Sequence, residues 1–138
     1  MVNLIIGNKG SGKTKKLIEH VNNVAASSEG SVVCVEKERK LTYDISNQVR
    51  LLDTDAYAIS GYDQFYGFLS GICAGNYDIT DISIDATLKI GGRDYEALET
   101  FLKKIDALSI QTNIDFTFTV STDKSELPEG IFDFAKEV

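Results

Sequence analysis

Eight consecutive residues near the start of the chain, Gly7-Asn8-Lys9-Gly10-Ser11-Gly12-Lys13-Thr14, have the spacing G-x-x-x-x-G-K-T. The residue types in that pattern have a chemical use. Gly7, Gly10 and Gly12 let the backbone curl tightly, so that its N–H groups can approach a ligand with no Cβ in the way. Such amides, together with the N-terminus of a following helix, form a positive cradle for a chain of phosphates. Lys13 adds a mobile full charge at the outer phosphates, and the Thr14 hydroxyl is placed to bind Mg²⁺. Without a ligand, the same residues would be a glycine-rich strand-to-helix turn. The bare pattern arises by chance in roughly one chain in a hundred of this length. Its context narrows that further: the apolar run Val2-Asn3-Leu4-Ile5-Ile6 precedes it, and a helix-compatible run from Lys15 to Ser27 follows.

Carboxylates and hydroxyls elsewhere could complete such a site. Ile82-Ser83-Ile84-Asp85 is a strand ending in an acid, and Asp85 is the candidate to order a metal shell with Thr14. The bland alternative is a strand-end Asp that starts a turn. Asp81 is a weaker candidate because it precedes the apolar residues. Glu36 follows the buried run Ser31-Val32-Val33-Cys34-Val35 and could orient a water, provided its strand lies beside that of Asp85. Equally, it could be a solvated residue opening the charged turn 37–40. Ser121-Thr122 ends another strand with hydroxyls, where a terminal phosphate could be sensed or an ordinary turn made. Arg39, Arg50 and Arg93 could supply transition-state charge or simply face solvent. Arg93 stands out because Gly91-Gly92 predicts a mobile loop before it. His20 lacks a metal partner at helical spacing. Tyr62, Phe65, Tyr66 and Phe68 could stack a base, although their spacing also suits a core face.

The elements that must position these residues alternate. The run Val2 to Ile6 reads as a strand buried on both faces, and Leu17, Val21 and Val24 make one side of a helix, with Ile18 and Ala25 beside them. Residues 48–59 contain an extra strand. Ser60-Gly61-Tyr62-Asp63 reads as a capping box opening a helix to about Cys73, with Phe65, Phe68, Leu69 and Ile72 inward and Gly67 and Gly71 allowing close packing. Strand 79–85 follows. Asp94 caps a helix from Tyr95 to about Leu108 that buries Leu98, Phe101, Leu102 and Ile105. Residues 114–120 form a β-rich run, and Pro128 predicts a short, fraying C-terminal helix. This alternation predicts an α/β fold, a three-layer α/β/α sandwich on a mostly parallel sheet, with 1–138 as one domain. Ligands on such sheets lie outside the carboxyl ends of the strands, where all these candidates gather.

The chain of 138 residues carries a net charge of −7, which disfavours a broad nucleic-acid or anionic-membrane face. Cys34 and Cys73 lack partners at metal spacing and read as reduced core cysteines of a cytoplasmic protein. No signal segment or apolar run of membrane-spanning length is visible.

The loop 7–14, the strand ending at Asp85 and the polar-tipped strand ending at Ser121 together resemble the P-loop NTPases, with the loop as Walker A and Asp85 as the Walker B acid. The order resembles the division with an additional strand between those two, here the strand 114–120. Glu36 is similar to the second-strand catalytic acid of recombinase-like and secretion or twitching-motility ATPases. The pattern also resembles small bacterial P-loop proteins of unassigned function. Ala86 stands where many relatives carry a hydrolytic acid, and the chain lacks the later strands and basic loops of the motors. Thymidine kinases of the P-loop type share the minimal sheet but carry a zinc lasso, for which no ligand set exists here. The resemblance implies ATP and Mg²⁺ as ligands of residues 7–14, with Lys13 and Glu36 catalytic and Thr14 and Asp85 on the metal. ATP is preferred over GTP because no N-K-x-D motif occurs. The expected activity is slow Mg²⁺-dependent ATP hydrolysis. The alternatives are a nucleotide-controlled binding module, read by a protein partner or a second copy, and a small-molecule kinase with its acceptor near 39–66.

Overall fold

The computed structural model of the chain describes residues 1–39, 41 and 44–138. Lys40, in the expected charged turn, lies outside them.

Six strands form one sheet: β1 (Val2–Gly7), β2 (Ser31–Glu36), β3 (Val49–Asp53), β4 (Ile79–Ile84), β5 (Asp115–Ser121) and β6 (Ala135–Glu137). Their order is β3-β2-β4-β5-β1-β6, and every neighbouring pair is parallel. Parallel neighbours need long crossovers, and these supply helices α1 (Lys13–Ser27), α2 (Tyr62–Gly75), α3 (Thr87–Gly91) and α4 (Tyr95–Thr112). The result is a three-layer α/β/α sandwich. β5 lies between β1 and β4, and β2 lies directly beside β4, with Asp85 N–H donating to the Val35 carbonyl at 2.8 Å.

Two apolar clusters fix the layers. On one face Leu17 and Val21 of α1 pack with Ile5, Val32 and Cys34. On the other, Phe65 and Leu69 of α2, Leu88 of α3 and Leu98, Phe101, Leu102 and Ile105 of α4 pack against Leu4, Ile82, Ile84, Phe116 and Phe118. Each fully buried large side chain contributes about 1.5–3 kcal/mol. Phe65 and Tyr62 belong to this second core, so the aromatic run of α2 packs inward instead of lining a ligand cleft.

Several expectations are corrected. Ser60 does not cap α2: Gly61, at φ 85°, is the capping residue, and Gln64 reaches back to accept the Ser60 N–H at 2.9 Å. The helix starts one residue later than expected, so the reciprocal arm of the box shifts with it. Gly67 and Gly71 do not mediate close packing, since a Cβ at either would meet nothing within 4 Å. Gly91 ends the short helix α3, and only Gly92, at φ 107°, lies beyond it. After Pro128 the chain makes a 3-10 turn over Glu129–Asp133 and then strand β6, not a fraying helix. β6 covers the free edge of β1, and the Val138 N–H donates to the Leu4 carbonyl at 2.9 Å. That pairing protects an edge that would otherwise be open to another chain.

Among the described residues no helix is long and apolar enough to cross a membrane. Both cysteines are free thiols, Cys34 buried and Cys73 half-buried. Burial raises the Cys34 thiol to about 12, helped by the carboxylates of Glu36 and Asp85. Burial also raises Cys73. Iodoacetamide at mildly alkaline pH, read by intact mass, is expected to leave Cys34 unlabelled in the native chain and to label both cysteines once it is unfolded.

Candidate functional site

The residues 7–14 join β1 to α1 at the carboxyl edge of the sheet. Gly10 and Gly12 have φ of 85° and 87°, a region closed to most side chains, which is why these positions are glycine. Gly12 is the capping residue of α1, and no side chain caps its first amides. The first turn also carries no acid, while Lys13, Lys15 and Lys16 crowd the positive end of the helix dipole. Each such cation opposes the dipole by about 0.3–1 kcal/mol. A local rule broken in this way marks a site that expects negative charge.

Lys13 is buried, and its Nζ donates to the Asn8 carbonyl at 3.0 Å. Burial lowers its pKa below the ordinary lysine value, and the Asp85 carboxylate partly restores it. The Thr14 hydroxyl lies 3.4 Å from each oxygen of Asp85. Asp85 is aimed from behind by Thr119 of β5, whose hydroxyl donates to its Oδ1 at 2.8 Å and accepts the Ala86 N–H at 2.9 Å. Ala86 itself sits at φ 60°, turning the chain sharply from β4 into α3. The separation of β1 and β4 by β5 therefore places an orienting hydroxyl between the two ends of the site.

These residues open on one cleft of about 1000 Å³, lined also by Lys37, Leu41, Leu88, Lys89, Arg93, Ser121 and Thr122. Six cationic side chains face it (Lys9, Lys13, Lys15, Lys37, Lys89 and Arg93) and one carboxylate, Asp85. A chain with 14 basic and 21 acidic residues thus concentrates nearly half its cations here. Such focusing attracts polyanions to a protein that is anionic overall. Arg93 Nη2 donates to the Ser121 carbonyl at 3.5 Å, and the Thr122 hydroxyl pairs with the Tyr95 hydroxyl at 2.9 Å.

Neither protein-family models nor curated proteins match the chain.

Glu36 is placed differently from the other sequence candidates. Although β2 lies beside β4, Glu36 is only 1% exposed, and its Oε1 accepts the Leu41 N–H at 3.0 Å. It lines a neighbouring cavity of about 380 Å³ with Arg39, Arg50 and Tyr57, rather than the cleft of the glycine-rich loop. Arg39 pairs there with Asp53 at 3.4 Å. Asp81 stands near the amino end of β4, opposite Asp115, and burial raises its pKa. His20 lies on α1, 3.3 Å from the Thr117 hydroxyl. Sequence reasoning missed Thr119, Lys37 and Lys89. Thr119 had a signal, the alternation Phe116-Thr117-Phe118-Thr119, which puts hydroxyls on the face opposite the phenylalanines.

For a metal, the described residues hold no group of three or more His, Cys, Asp or Glu side chains that could enclose an ion. What they offer is one carboxylate and one hydroxyl in contact. That donor set suits Mg²⁺, which takes few protein ligands and draws the rest from phosphates and water.

Proposed function

We propose that this chain binds the magnesium complex of a nucleoside triphosphate, ATP in the first instance, and hydrolyses it slowly. The observation that carries the reading is the convergence of Thr14 and Asp85 beside the uncapped, lysine-rich start of α1. In this reading the loop amides and Lys13 bind the phosphate chain, and Lys13 leaves the Asn8 carbonyl for the ligand. Thr14 and Asp85 hold Mg²⁺, which when bound neutralises phosphate charge. Thr119 keeps Asp85 aimed by donating to it. The placement in a P-loop NTPase family with an added strand belongs to the same proposal, supported by β5 lying between β1 and β4.

Slow turnover follows from the carboxylates. Asp85 is committed to the metal, and Glu36 is turned toward Leu41. That geometry also favours the second reading, a nucleotide-controlled binding module in which the bound state outlasts the chemistry and is read by a partner.

The test is Asp85→Asn, which keeps shape and removes charge. Affinity for ATP, measured by calorimetry with and without Mg²⁺, is expected to rise at least about tenfold with the metal in the parent chain, or 1.4 kcal/mol. The variant is expected to show the same affinity in both conditions. A variant that keeps the full metal effect contradicts the assignment.

A further inference from the structure

We infer that the cleft contains a second oxyanion subsite, built on Lys89 and Arg93, that takes a phosphomonoester-bearing ligand while the nucleotide is bound; this rests on the nucleotide reading above.

The loop side already supplies what a triphosphate requires: amides, Lys13, Thr14 and Asp85. Lys89 and Arg93 approach from elsewhere. They belong to α3 and the residues after it, which pack on the opposite face of the sheet from α1. Their charge is also unspent. Lys37 shares the cleft but is tied to Asp55 at 2.6 Å. Among the described residues, no carboxylate lies within ion-pair distance of Lys89 or Arg93. The magnesium complex of a nucleotide brings about two net negative charges, which Lys13 and its neighbouring lysines can balance. Two further cations are then left facing a shared cavity.

This side of the cleft is held in place. The Tyr62 hydroxyl at the start of α2 donates to the Gly92 carbonyl at 2.6 Å, and the Gly61 N–H donates to the Ile90 carbonyl at 2.9 Å. The Tyr62 ring packs 5.1 Å from Phe101, so the core fixes the turn that carries Arg93. Arg93 in turn reaches the Ser121 carbonyl, which sets its planar fork beside the strand end. A guanidinium so held matches the paired oxygens of a phosphomonoester, and Lys89 adds a point charge. The cleft, about 1000 Å³, stands at the upper end of the roughly 300–1,000 Å³ range of ligand pockets. With a net charge of −7 and the cations gathered in one cleft, a small phosphorylated molecule fits better than a nucleic acid.

The experiment saturates the full chain with Mg²⁺ and a non-hydrolysable ATP analogue, then titrates inorganic phosphate while amide and arginine side-chain resonances are followed by NMR. Acetate at equal ionic strength is the screening control. A saturable second event centred on residues 89–93 is expected with phosphate and not with acetate. In a Lys89→Met, Arg93→Met double variant, the second event is expected to weaken at least about tenfold more than analogue binding does. Both side chains are exposed, so the variant folds. No saturable phosphate event, an equal response to acetate, or equal weakening of both events overturns the subsite while leaving nucleotide binding standing. Failure of the analogue to bind overturns the nucleotide reading, and this inference with it.

Discussion

Replacing Lys13 with alanine is expected to weaken binding of Mg-ATP about a hundredfold while leaving the melting temperature nearly unchanged. The ammonium would lose two charge-assisted hydrogen bonds to phosphate oxygens, each worth about 1.5 kcal/mol. The fold loses little. Among the described residues Lys13 donates only to the Asn8 carbonyl, and it opposes the dipole of α1, so removing it relieves one term as it deletes another. Calorimetry and thermal melting on the same sample separate the two effects. An equal fall in stability would make Lys13 a structural residue instead. The parent chain should also lose affinity as pH rises, because only the charged ammonium binds phosphate. Burial lowers the Lys13 pKa, so that loss begins at lower pH than for an exposed lysine.

The largest effect on stability is expected from Phe101→Ala. Phe101 is 2% exposed and joins α4 to two other elements: its ring lies 4.8 Å from Phe65 and 5.1 Å from Tyr62 of α2, and 5.8 Å from Phe118 of β5. Truncation opens a cavity that these rings cannot fill without leaving their rotamers, at a cost of about 3–5 kcal/mol. For a domain of this size the melting temperature falls by roughly 10–15 °C. Denaturant unfolding checks the figure, and a loss below about 1 kcal/mol would mean the core repacks freely. The substitution also removes the backing of Tyr62, and with it the fixed position of Gly92 and Arg93.

The glycine-rich loop was legible because everything that makes it is local: an apolar strand, three glycines at fixed spacing and a helix face of Leu17 and Val21. The parallel sheet was legible from the alternation of elements, and α4 from the period of Leu98, Phe101, Leu102 and Ile105. Short pieces were not. α3 has five residues and β6 three, too few to show a period, and β6 exists only because β1 presents an edge to pair with. The direction of Glu36 was unreadable for a different reason. One of its partners is a backbone N–H in the following connection, and no side-chain pattern encodes that bond. The cation cluster was hidden by distance along the chain: Lys9, Lys37, Lys89 and Arg93 come from three separate stretches that meet only at the carboxyl edge. Read linearly, they vanish into a net charge of −7.

One titration reaches the centre of the account. Isothermal calorimetry of the parent chain with ATP, in magnesium and then in chelator, should give one saturable site that the metal strengthens. Replacing Lys13 with alanine should weaken that site about a hundredfold. A flat titration in magnesium, at protein concentrations where a micromolar ligand would be seen, would contradict the proposal that this glycine-rich turn receives a nucleotide.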